Sequence, residues 1–127
     1  MEETKNMNYP DDFINKIIHG DCLEVMKCIP DNSIDFIFTA AVFIHTPLDV
    51  TRRYLEQTHD KLKSGGRFLH HFNVCSLDEG LHKIMWHVFT EEELDKMFEG
   101  VPLECLNQFD NKCYAKKQWM RYIYGVK

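Results

Sequence analysis

Ser33-Ile34-Asp35-Phe36-Ile37-Phe38-Thr39-Ala40-Ala41-Val42-Phe43-Ile44, followed by Thr46-Pro47-Leu48-Asp49 and later by Leu62-Lys63-Ser64-Gly65-Gly66-Arg67, decides the fold. The run Ile34–Ile44 is almost continuously apolar, which predicts a strand buried on both faces of a parallel sheet. Thr46 then reads as a helix N-cap, with Pro47 at the first helical position and Asp49 at the third. Val50, Tyr54, Leu55, Thr58 and Leu62 recur at helical spacing, so that helix has one buried face. Gly65-Gly66 is placed to end the helix, since glycine accepts a left-handed backbone there. Arg67–Val74 reads as the next strand.

Outward from this unit, strand and helix signals keep alternating. Residues 1–12 read as a flexible leader, and Ile14, Ile17 and Ile18 predict a short strand over Phe13–His19. Asp21 caps a short helix, with Glu24 three residues on as a capping-box partner. Pro30 stops that helix, and Pro30-Asp31-Asn32-Ser33 has the chemistry of a turn. Downstream, Cys75–Val88 is ambiguous, with a helical turn suggested by Ser76 and Glu79. Phe89-Thr90-Glu91-Glu92-Glu93-Leu94 is sharper: Thr90 and Glu93 form a capping box, and Phe89 and Leu94 a hydrophobic staple. Gly100 closes that helix. Leu103–Phe109 and Tyr114–Val126 read as an antiparallel strand pair joined through Asp110-Asn111-Lys112. The whole predicts a single α/β domain over residues 13–127.

Composition narrows the function classes. The chain has 127 residues, 44% of them hydrophobic and 28% charged, as in a globular fold. A formal charge of −5, with no long basic run, disfavours binding to duplex nucleic acid. No apolar run approaches the ~20 residues of a membrane span. Five cysteines without a CxxC pair argue against a disulfide scaffold or a closed zinc site, so reduced thiols and a cytoplasmic location are expected. His70-His71 alternate faces on a strand, and His82 and His87 are not at i, i+4 spacing, so no metal site is expected.

The order of these pieces resembles the later part of class I S-adenosylmethionine-dependent methyltransferases. The matching pieces are Gly20-Asp21-Cys22, Ser33-Ile34-Asp35-Phe36-Ile37, His45, Leu62-Lys63-Ser64-Gly65-Gly66-Arg67, the capped Phe89–Leu94 helix and Tyr122-Ile123-Tyr124-Gly125-Val126-Lys127. The resemblance implies a truncated Rossmann-like sheet with helices on its faces and a C-terminal antiparallel strand pair. It implies S-adenosyl-L-methionine as cofactor, with binding weak or absent. Asp21 and Cys22 would meet the adenine, by carboxylate and backbone N–H. Thr39, Ala40, Ala41 and Phe43 would line the cofactor at the strand's carboxyl end. Asp21 also reads as a simple helix cap, and the small residues as simple packing. His45 is the candidate general base, and Trp86 reads as core filling more than as an acceptor-pocket wall.

Two departures from the family shape the functional expectation. The six glycines include no G-x-G turn, and no acidic residue stands where the family holds the ribose hydroxyls. Thr39-Ala40-Ala41-Val42-Phe43 also replaces the Asp-Pro-Pro-Tyr of DNA amino-methyltransferases, which argues against methylation of a nucleobase amine. The first expectation is a methyltransferase-like protein acting on a small-molecule or protein acceptor. The alternative is a non-catalytic interaction or regulatory protein built on that scaffold. Without the family's first strand, the Ile34–Ile44 edge stands open, which predicts a homodimer through that edge with Phe13–His19 near the seam.

Overall fold

The computed structural model describes residues 7–75, 88–112 and 118–127. The elements are α1 (Cys22–Val25), β1 (Ile34–Phe38), α2 (Leu48–Lys61), β2 (Leu62–Cys75), β3 (Phe89–Thr90), α3 (Glu91–Phe98), β4 (Glu104–Lys112) and β5 (Gln118–Val126). They form one sheet in the order β1-β2-β5-β4, with β3 pairing β2 beyond this path. The strands β1 and β3 run parallel to β2, whereas β5 is antiparallel to both β2 and β4. This is the α/β class read from the sequence, including the antiparallel C-terminal pair.

Alternation along β2 builds the core. Phe68, His70, Phe72 and Val74 point to one face and are all essentially buried. Leu55 of α2 and Leu94 and Met97 of α3 join the same buried cluster, and the Phe98 ring lies 6.5 Å from Phe68 and 6.0 Å from Phe72. Both long helices therefore cover the same face. On the other face β1 leaves Phe36 50% and Phe38 57% exposed. The expectation of a strand buried on both sides is thus corrected: β1 is covered on one side only, among the described residues.

β1 is also shorter than the apolar run implied. It ends at Phe38; Ala41 takes a left-handed φ of 58°, and Phe43–His45 form a turn of 3-10 helix. The fully buried Phe43 enters the core between Tyr54, His70 and Phe72, so the second half of the run packs downward instead of extending the strand. The expected strand at Phe13–His19 is absent. Phe13 and Ile14 N–H both donate to the Pro10 carbonyl, Asn15 is left-handed (φ 59°), and Ile17 is fully exposed. An isolated extended segment gains nothing without a neighbouring strand, and a local turn satisfies its backbone instead.

Smaller differences follow the same logic. Pro47, not Thr46, is the N-cap of α2; the Thr46 hydroxyl sits 2.6 Å from that of Thr51, which occupies the buried stripe with Leu55 and Thr58. The helix ends at Lys61, and Gly65 (φ 82°) bends the start of β2 rather than capping α2. Glu24 pairs with Lys27 at 3.0 Å instead of closing a capping box on Asp21. Asp110 is not in a turn: it lies in β4 opposite Arg121. The Arg121 guanidinium, almost wholly buried, donates to Asp110 (2.8 and 3.0 Å) and bidentately to Glu91 (2.7 Å each), tying both terminal strands to α3. The Thr90–Glu93 capping box forms as read, at 3.0 and 3.1 Å. Cys75 ends β2, and the helical turn read at Ser76 and Glu79, with His82, Trp86 and His87, falls outside the described residues.

Gly125 sets a close approach. In register with Phe68, it lets the phenyl ring lie across β5; a Cβ there would collide with that ring and with the Glu104 carbonyl. A Cβ on Gly65 would touch nothing, leaving only the cost of its left-handed backbone. Gly125→Ala is therefore expected to destabilise by about 2 kcal/mol or more, and Gly65→Ala by about 1 kcal/mol. Urea melts of the two variants check the order; equal losses would remove Phe68 packing as the reason for Gly125.

Candidate functional site

The carboxyl end of β1 gathers a hydrogen-bonded chain that the sequence did not announce. Thr39 N–H donates to the Leu69 carbonyl (3.0 Å), which holds the last rung between β1 and β2. Thr39 Oγ1 lies 2.8 Å from His70 Nδ1, and His70 Nε2 lies 3.0 Å from Thr58 Oγ1. Thr58 gives its own proton to the Tyr54 carbonyl (2.8 Å), so it accepts from His70 Nε2–H. That assigns the tautomer: Nδ1 is the acceptor, and the Thr39 hydroxyl is its donor. The Thr39 lone pairs remain for an incoming donor at the strand end.

His70 is deep in the core beside Phe43 and Phe68, and burial alone pushes its pKa down to about 3. It is a neutral strut, not a proton carrier near neutrality. The next residue faces the opposite way. His71 Nδ1 accepts the Ala41 N–H at 2.9 Å, fixing the left-handed turn, and its ring stacks on Tyr122 at 4.9 Å. Burial lowers the His71 pKa as well, while its Nε2 and the Asn73 Oδ1 are buried without a hydrogen-bond partner among the described residues. Two adjacent polar residues inside an apolar strand were the available signal for both histidines.

The residues singled out from the sequence occupy two neighbouring places. Thr39, Ala40 and Ala41 form the turn after β1, with both alanines exposed, and Phe43 closes its underside. His45 ends the 3-10 turn at the surface, its N–H donating to the Val42 carbonyl (3.0 Å). Asp21 caps α1, with Oδ1 accepting the Leu23 N–H at 3.0 Å, so its structural reading holds. Asp21 and Cys22 lie close enough to Tyr54 of α2 for their charges to act on its phenol. The Tyr54 phenol pKa is raised first by burial and then by the Cys22 and Asp21 charges, and its ring lies 5.5 Å from Phe43.

One groove adjoins Asp21, and another lies toward the opposite, β4 edge of the sheet. Asp21, Leu23, Arg53 and Gln57 line one of about 300 Å³, at the small end for a ligand pocket. A larger groove, about 550 Å³, runs between α3 and β4 over Leu94, Phe98, Leu103 and Ile123, and contains none of the residues singled out.

Solved structures share this fold at low sequence identity. An S-adenosylmethionine-dependent methyltransferase from Methanosarcina mazei is 16% identical with a TM-score of 0.61, over 76% of this chain and 60% of that one. An arsenic(III) S-adenosylmethionine methyltransferase from Chlamydomonas reinhardtii is 12% identical with a TM-score of 0.60, over 84% and 42%. The [4+2]-cyclase SpnF is 13% identical with a TM-score of 0.59, over 77% and 51%. The chain thus has the fold of class I S-adenosylmethionine-dependent methyltransferases and spans about half the length of these structures. No protein-family model and no curated protein matches its sequence. The cyclase shows that this fold by itself does not fix the reaction.

The buried imidazole has a measurable signature. Between its ordinary 6.5 and about 3, the unfolded chain binds a proton at His70 that the folded chain refuses. Stability is therefore full above pH 6.5 and falls as the pH drops through that window, with a slope approaching about 1.4 kcal/mol per pH unit from this group. Urea unfolding from pH 7 to 4.5 is expected to lose that slope in His70→Gln. An unchanged slope would mean that His70 is protonated in the folded protein.

Proposed function

We propose that this chain is a methyltransferase-like protein that binds S-adenosylmethionine weakly at the carboxyl end of β1, from the cytoplasm. The observation that carries the reading is Thr39: its proton is committed to His70, so it presents a fixed acceptor where open α/β sheets take their ligands. Exposed Ala40 and Ala41 allow close approach of a ligand beside it. The fold likeness to methyltransferases makes S-adenosylmethionine the first ligand to try.

The residues present fit one end of that cofactor better than the other. Asp21 spends Oδ1 on its cap, and its second oxygen is available to an adenine amino group. Cys22 offers the adjacent backbone N–H, and Phe43 with Tyr54 supplies the apolar floor. Nothing among the described residues at this strand end supplies a carboxylate for the ribose hydroxyls. When bound, S-adenosylmethionine supplies an already activated methyl group, so the protein contributes alignment and exclusion of water. Exposed His45 stands one turn beyond Thr39 and Ala40, placed to accept a proton from an acceptor hydroxyl or amine.

A second reading is an interaction protein that keeps the scaffold without the reaction. The outer edge of β1, which no strand among the described residues pairs, favours it. Calorimetric titration separates the two. S-adenosylmethionine and S-adenosylhomocysteine are expected to bind with dissociation constants between roughly 1 μM and 1 mM, and Ala40→Leu, which fills the approach beside Thr39, is expected to abolish the heat. Absence of binding at millimolar ligand would leave the interaction reading. Nanomolar binding would contradict the half-fitted site.

A further inference from the structure

The groove between α3 and β4 lies toward the edge of the sheet opposite Thr39, and its whole lining comes from residues 91–123. At about 550 Å³ it falls within the range of small-molecule sites. Its floor is apolar: Leu94 and Ile123 are buried, and Phe98 and Leu103 half-buried. The charges around that floor do not balance. Its two cations are already engaged, Arg121 with Glu91 and Asp110, and Lys96 with Glu92 (3.5 Å). Asp95 and Glu99, the remaining carboxylates of the lining, have no ion pair among the described residues. Both stand where a carboxylate is costly. The Glu99 N–H donates to the Asp95 carbonyl (3.0 Å), so the two share the final turn of α3, at the negative end of its dipole. Four residues apart, they also repel each other.

We infer that this groove binds a small organic cation, an ammonium group carried on an aromatic or short alkyl body. The ammonium sits by Asp95 and Glu99, where it offsets their repulsion and the helix dipole, and the body covers Phe98 and Leu103. Size sets the class of ligand. Two of the four floor residues are already buried, which leaves room for a single ring or chain but too little apolar surface for a docked protein. Charge sets the sign: the same carboxylates repel an anion, and a neutral ligand gains nothing from them. The site uses no group at the Thr39 strand end, so it stands whether or not the chain binds S-adenosylmethionine.

Three matched probes test it through the backbone amide chemical shifts of the whole chain. These are 3-phenylpropylamine, 3-phenylpropanol and 3-phenylpropanoate, which carry a cation, a neutral group and an anion on one body. The amine is expected to shift the Leu94–Glu99 and Leu103–Gln108 amides with a dissociation constant of about 1 mM or below. The alcohol is expected to bind there at least about fivefold more weakly, since exposed ion pairs each add a few-fold, and raised salt narrows that gap. The carboxylate is expected to leave these amides unmoved. Asp95→Asn combined with Glu99→Gln keeps both shapes and removes both charges, so the double variant is expected to bind amine and alcohol equally. Should that variant fail to fold, the comparison of the three probes in the unaltered protein decides alone. Four results would overturn the site: no shift with about 10 mM amine; shifts confined to residues outside the groove; amine and alcohol bound equally by the unaltered protein; or a preference for the amine that survives in the folded double variant.

Discussion

A neutral imidazole spanning two threonines links three elements that no single backbone ladder joins. His70 lies on β2, Thr39 at the end of β1 and Thr58 on α2, and each hydrogen bond has a defined donor once the Tyr54 carbonyl has taken the Thr58 proton. A buried imidazole lacking either partner would carry an uncompensated polar atom in an aromatic cluster, at a cost of about 1–3 kcal/mol. The network therefore fixes how α2 sits on the sheet and where β1 stops. Everything proposed for the strand end depends on that registration.

The two faces of β2 have different chemistry. On the helix-covered face, Phe68, Phe72 and Val74 supply the bulk of the core around His70. On the other, Arg67, His71 and Asn73 are joined by Tyr122 and Tyr124 from β5, with Arg67 over the Tyr124 ring at 5.7 Å. The buried atoms of His71 and Asn73 that find no partner among the described residues belong to this second face. An aromatic and polar surface of this kind contrasts with the dry packing beneath α2 and α3.

What could be read from the sequence follows the range of the interactions involved. The capping box of α3 is legible because Thr90 and Glu93 lie three residues apart and satisfy each other. The left-handed bend at Gly65 is legible for the same reason, although its role is to enter β2 rather than to leave α2. The end of β1 is not legible. Its stop depends on Ala41 N–H finding His71, thirty residues on, and on Phe43 finding the core. The resemblance places Thr39 and its neighbours at a strand end, whereas the apolar pattern alone runs the strand on to Ile44. His70 and Thr58, which orient that threonine, could not be foreseen, because their pairing exists only after α2 docks. The strand expected at Phe13–His19 fails for the converse reason: its apolar pattern is sound, and no neighbouring strand meets it.

The strand order also sets a timetable. β5 lies between β2 and β4, so the central strand receives its antiparallel partner from residues 118–126. As the chain emerges from a ribosome, β2 and both long helices are complete well before that partner exists. Only then can Arg121 close on Glu91 and Asp110, and Phe68 settle over Gly125. Pairings this far apart in sequence are slow to form, because loop closure comes before the contacts that reward it. Through that interval β2 presents its unpaired apolar edge to the surroundings, the kind of exposure that makes nascent chains aggregate or engage a chaperone.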